Sequence, residues 1–94
     1  MLFMVISTPR PEPPSSMTPK RKAYWEWITP LQKQGLCKEV WARTGRGAIA
    51  LLDVPDNETL HRILNEWAEI IPATFEIYPL IDPGPAKAYL DKHK

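Results

Sequence analysis

Three kinds of side chain in this 94-residue sequence are suited to chemistry on a small molecule. Glu26 stands between Trp25 and Trp27, and a carboxylate held beside indole surface in a cleft loses solvation, which makes it a better proton acceptor. Pro30, four residues on, cannot donate to the Glu26 carbonyl, so a helix through this segment is expected to bend there and free that carbonyl. The plainer alternative is a solvated helix glutamate, with the proline merely curving the helix. His61 supplies an imidazole able to exchange protons near neutrality. It directly follows Leu60, at the margin of an apolar stripe, where packing or a bond to Asp53 or Glu58 would serve equally well. Arg43 and Arg46 offer the fork that grips a carboxylate bidentately. Arg43 lies in a strand and is the better placed; Arg46 lies in a turn and is expected to face solvent. Trp27, Trp41, Trp67, Phe75 and Tyr78 suit either a cavity for a flat apolar ligand or the core itself. Helical spacing assigns Trp67 to the core, whereas Trp41, alternating with polar neighbours, faces a cavity or a subunit interface.

Other chemistries find less in the sequence. His61 and His93 are far apart and lack the paired spacing of a zinc site, so no metal is expected. Gly45-Arg46-Gly47 is too short for a phosphate cradle. The single cysteine, Cys37, cannot form an internal disulfide and has no flanking group to activate it, so it reads as a small apolar side chain. Twelve basic against 11 acidic residues leave a formal charge of +1, which argues against a phosphate-tracking surface and hence against a nucleic-acid partner. No apolar run approaches the roughly 20 residues of a membrane span, and MLFMVISTPRPEP has no basic n-region, which reads as a cytoplasmic protein.

The elements that must position these residues are punctuated by proline, of which there are eleven. Leu2 to Ile6 is a β-prone run without alternation, expected in the centre of a sheet and covered on both faces. Residues 9–17 form a proline-rich connector that supports neither a regular helix nor a central strand. Thr18-Pro19 reads as an N-cap and first helical residue, followed by Tyr24, Trp27, Ile28 and Leu31 at helical spacing and a stop at Gly35. Strands over Lys38–Thr44 and Ala48–Val54 flank a Gly45-Arg46-Gly47 turn. Asp56 or Asn57 caps a second helix, whose Leu60, Ile63, Leu64 and Trp67 repeat in the same way. A last strand spans Thr74–Ile81, and a short polar tail occupies 83–94.

The order β-α-β-β-α-β over a single domain, 1–94, predicts a ferredoxin-like α+β fold, a four-stranded antiparallel sheet with both helices on one face. Strands apolar on both faces then require a cover for the helix-free side. A second copy of the sheet is the simplest one, giving a dimeric α+β barrel with a small-molecule cavity between sheet and helices.

Particular residues carry a resemblance. Met1-Leu2-Phe3 with Val5, Leu31-Gln32-Lys33-Gln34-Gly35, Trp41, and Asp53-Val54-Pro55-Asp56-Asn57-Glu58-Thr59-Leu60-His61 resemble the muconolactone delta-isomerase family, from Met1 to about Ile81. The resemblance implies a cofactor-free cytoplasmic enzyme of aromatic catabolism, with small subunits that pair and then assemble into a decamer. It implies a proton shift that moves a ring double bond in an unsaturated lactone. Glu26, by its distance from Gly35, is implied as the catalytic carboxylate and His61 as a second catalytic group. Arg43 is implied to hold the substrate carboxylate, with Trp27, Trp41 and Tyr78 lining the substrate site. Ala86, Ala88, Tyr89 and Leu90 would bind neighbouring subunits. The sequence departs from the family at Met4, where a histidine is usual, at Ala48-Ile49-Ala50, where a polar segment is usual, and in a hairpin one residue shorter. These changes make the cavity greasier and open its substrate to question. Two alternatives are another cofactor-free barrel enzyme, of the small monooxygenase or polyketide cyclase type, and a non-catalytic ligand-binding subunit.

Overall fold

The computed structural model describes residues 1–92; His93 lies outside the described residues. Strand β1 (Leu2–Pro9) leads through a 3₁₀ turn (Pro14–Met17) into helix α1 (Thr18–Lys33). Strands β2 (Cys37–Ala42) and β3 (Ala48–Asp53) form a hairpin, followed by helix α2 (Asn57–Ile70), strand β4 (Ala73–Leu80) and helix α3 (Pro83–Lys92). The sheet is antiparallel in the order β2-β3-β1-β4, so β1 is an interior strand, as its unbroken apolar run requires. This is the α+β, ferredoxin-like arrangement expected.

Three local expectations change. The connector is not wholly irregular, because its 3₁₀ turn runs straight into α1. Met17 therefore takes the N-cap position, and Thr18 is helical rather than capping. Helix α1 runs through Pro30 to Lys33, just short of the stop predicted at Gly35, since a proline so near the end costs one hydrogen bond in an exposed turn. The segment after Pro83, expected as a polar tail, is helical. Proline opens it without losing a bond, and Ala86 and Ala88 favour helix.

Helix ends match their chemistry. The Asp56 carboxylate accepts from Thr59 N at 2.7 Å and caps α2, and hydrogen bonding from Thr59, first its side chain and then its backbone N–H, holds the carboxyl below its usual range. At the end of α1, Gly35 adopts φ 80° and Leu36 N donates to Leu31 O at 3.0 Å, which returns the chain to β2.

One face of the sheet carries α1 and α2. Phe3 and Val5 of β1, Ala50 and Leu52 of β3, Ile28 of α1 and Ile63 of α2 are buried there. Trp67, 1% exposed, joins the layers. Its ring lies 5.1 Å from Tyr24, 6.2 Å from Trp27 and 5.1 Å from Phe75 of β4. The register puts the alternate residues on the opposite face, where Met4 lies beside Leu51 and Tyr78, and Trp41 beside Ile49. No described helix covers that face, and α3 buries no residue. The molecule is consequently long, 55 × 25 × 19 Å, with a radius of gyration of 15.5 Å against about 12 Å for a compact chain of this length.

Trp67→Ala is expected to destabilise the fold by about 3–5 kcal/mol, because it empties the junction of both helices with β4; a urea midpoint equal to wild type would show that the aromatic cluster is dispensable. Gly47 adopts φ +88°, and a Cβ there would lie 2.4 Å from the Ser7 carbonyl oxygen, whereas Gly45, at φ +91°, has open space around it. Gly47→Ala should therefore destabilise more than Gly45→Ala, by over ~1 kcal/mol, and equal losses in the two variants would contradict the close approach.

Candidate active site

The end of the sheet where β1 leaves the β2–β3 hairpin is held by side chains rather than by the strand ladder. Backbone pairing of β1 with β3 stops at Ile6 and Ile49. At the next position the buried Ser7 hydroxyl donates to Ala48 O at 3.1 Å and accepts from Ala48 N at 2.9 Å. The Ser7 carbonyl is thereby left for Arg43, whose Nη1 donates to it at 2.9 Å and to Thr8 Oγ1 at 3.2 Å. Arg43 N also donates to Gly47 O at 2.9 Å, closing the turn, and the Arg46 guanidinium donates to Arg10 O. The hairpin is thus strapped to β1 by two arginines, with Gly47 close against Ser7 because no Cβ intervenes.

A pocket of about 160 Å³ opens beside this strap. Met17, Arg21, Tyr24 and Trp25 line it from the 3₁₀ turn and α1, Arg43 and Arg46 from the hairpin, and Trp67 from α2. Helical periodicity explains the α1 wall, since Arg21 stands one turn before Trp25 and Tyr24 on one side of the helix. Trp25 meets Tyr24 edge-on at 5.3 Å and keeps 44% of its surface exposed. The Tyr24 hydroxyl is buried without a hydrogen-bond partner among the described residues. Burial chiefly, with Cys37 nearby, pushes this phenol well above its ordinary value and keeps it protonated. Burial raises the Cys37 thiol too, partly offset by backbone hydrogen bonding at Glu39, and the thiol donates to the Glu39 carbonyl at 3.4 Å, so it is an inert core group. The described lining holds three guanidinium groups and no Asp, Glu or His.

The structure brings together only part of the expected set. Arg43 lines the pocket, and so does Arg46, which the turn was expected to direct to solvent; its bond to the Arg10 carbonyl draws it inward. Glu26 does not line it. Two residues from Tyr24 and two from Ile28, it falls on the opposite side of α1 and is exposed. His61 is exposed on α2, makes no side-chain bond with the described residues, and does not reach Asp53, which instead pairs with Lys38 and the N-terminal amine, each at 3.5 Å. Trp27 belongs to the aromatic junction rather than the pocket, and its Nε1 donates to Glu66 at 3.0 Å. Trp41, 51% exposed, and Tyr78, 44% exposed, lie on the helix-free face of the sheet. The Tyr78 hydroxyl donates to Glu76 at 2.7 Å, a bond that pushes the phenol above its ordinary value and makes it a weaker acid. Met17 and Arg21 are pocket residues not singled out in the sequence, where Trp25 figures only as indole surface beside Glu26. Their spacing of four was the available signal.

The fold agrees with that of a known enzyme. The crystal structure of muconolactone isomerase at 3.3 Å resolution superposes with a TM-score of 0.68 and 26% identity, covering 87% of this chain and 90% of that one. This likeness supports the fold that the sequence resemblance implied. No curated protein matches the sequence. The profile of a family described as a domain of unknown function, DUF3303, matches residues 1–94, and the chain belongs to that family.

Proposed function

We propose that this chain is the subunit of a cofactor-independent isomerase acting on a small unsaturated lactone or a related carboxylate, bound in the pocket between α1 and the β2–β3 hairpin. The observation that carries the reading is the pocket itself. An aromatic wall from Tyr24 and Trp25 faces arginines on a fold like that of muconolactone isomerase. A flat ring would lie against the indole and phenol, and a guanidinium would take an acidic substituent. Moving a ring double bond requires one group to remove a proton and return it elsewhere. Glu26 is the carboxylate proposed for that step, and it neighbours the pocket residue Trp25 in sequence although it is exposed on another side of α1.

The absence of Asp, Glu and His from the described lining favours a second reading, a subunit that binds such a ligand without turning it over. The two separate in one experiment with muconolactone. An isomerase consumes it, and Glu26→Gln should lower kcat by at least about 100-fold, the scale of a lost acid–base group. Unchanged turnover would remove Glu26 from the mechanism, and thermal stabilisation by the lactone without turnover would select the binding subunit.

Assembly belongs to the same proposal. Two copies pairing through their helix-free sheet faces would bury Met4, Leu51, Ile49 and Trp41 and form an α+β barrel, and the exposed α3 with Tyr89 and Leu90 would extend to a neighbouring copy. Wild type is expected to sediment as a dimer or larger at micromolar concentration and Met4→Lys as a smaller species. A wild-type monomer would contradict the pairing.

A further inference from the structure

The three pocket arginines are not equivalent. Arg43 is committed to Ser7 O and Thr8 Oγ1, and Arg46 to Arg10 O, so both spend donors on strapping the hairpin to β1. Arg21, on the facing wall, makes no hydrogen bond or ion pair with any described residue. Its five N–H donors are unspent. The acid nearest the hairpin strap in sequence, Glu12, is already paired with Arg10 at 3.0 Å. Three like charges therefore converge on one small pocket whose described lining supplies no counter-charge. An anion entering it relieves that repulsion and meets a free fork.

Resting on the reading of this pocket as the ligand site, we propose that Arg21 is its specificity-determining anchor. It takes the carboxylate of a flat unsaturated acid whose apolar body lies along Trp25, one helical turn away on the same wall, while Arg43 and Arg46 act as positioning residues. The geometry suits this division. A bidentate guanidinium–carboxylate pair needs two parallel donors on one side chain, which Arg21 retains and Arg43 has partly spent.

Benzoate and its neutral isostere benzamide test the assignment on the full chain, with the Trp25 indole N–H followed by NMR and assigned through Trp25→Phe. Benzoate should shift the Trp25 signal and bind wild type more tightly than benzamide does, and its affinity should fall as salt is raised. Arg21→Gln should weaken benzoate by about tenfold or more, the scale of a lost charged hydrogen bond. It should leave benzamide affinity unchanged without lowering thermal stability, and Arg21→Lys should fall between in benzoate affinity. Equal benzoate affinity in wild type and Arg21→Gln, with Trp25 still shifted, would overturn the role of Arg21 and leave the pocket as the site. Equal affinity of wild type for benzoate and benzamide would overturn the anionic ligand class. No response of Trp25 to saturating benzoate would overturn the pocket reading together with the anchor.

Discussion

The fold turns on the burial of Trp67. A 94-residue chain has little interior to spend, and here one indole closes the junction where α1, α2 and β4 meet, with Tyr24, Trp27 and Phe75 around it. A ring of this size fixes the separation of the helices from the sheet. The pocket is the margin of that cluster. Tyr24 and Trp67 belong to both, so the wall a ligand would meet is the edge of the core, rigid because the core is.

The opposite wall is held by polar economy at a sheet end. Ser7 is a buried polar side chain, and it satisfies both backbone groups of Ala48 where the ladder stops. That substitution frees a carbonyl for Arg43, which in turn fixes the hairpin against β1. A chain of local satisfactions thus gathers positive charge at one end of the molecule, although the net charge of the whole is only +1. Composition is blind to such an arrangement.

Much of the fold was legible because its signals are local. The apolar run Leu2 to Ile6, the 3.6-residue stripes of both helices, Asp56 as a cap, Gly35 as a stop and the Gly45-Arg46-Gly47 turn each act within a few residues of themselves. The site was less legible because it is an assembly of distant walls. Trp27, Trp41 and Tyr78 are aromatic, but their strand register and helix phase direct them to the junction or to the helix-free face. Arg21 and Trp25 become walls of a site only because the hairpin stands opposite them.

The sequence by itself determined the order β-α-β-β-α-β, the interior place of β1 and the two-faced sheet, since periodicity and proline placement are properties of neighbouring residues. Only the tertiary structure decided which charged groups share a cavity. The phase of α1 turns Glu26 away from the pocket and Arg21 towards it, and the strap between Arg43 and Ser7 spans 36 residues of chain. A helix fixes the angles between its own side chains, but what each one faces depends on which stripe the core has claimed.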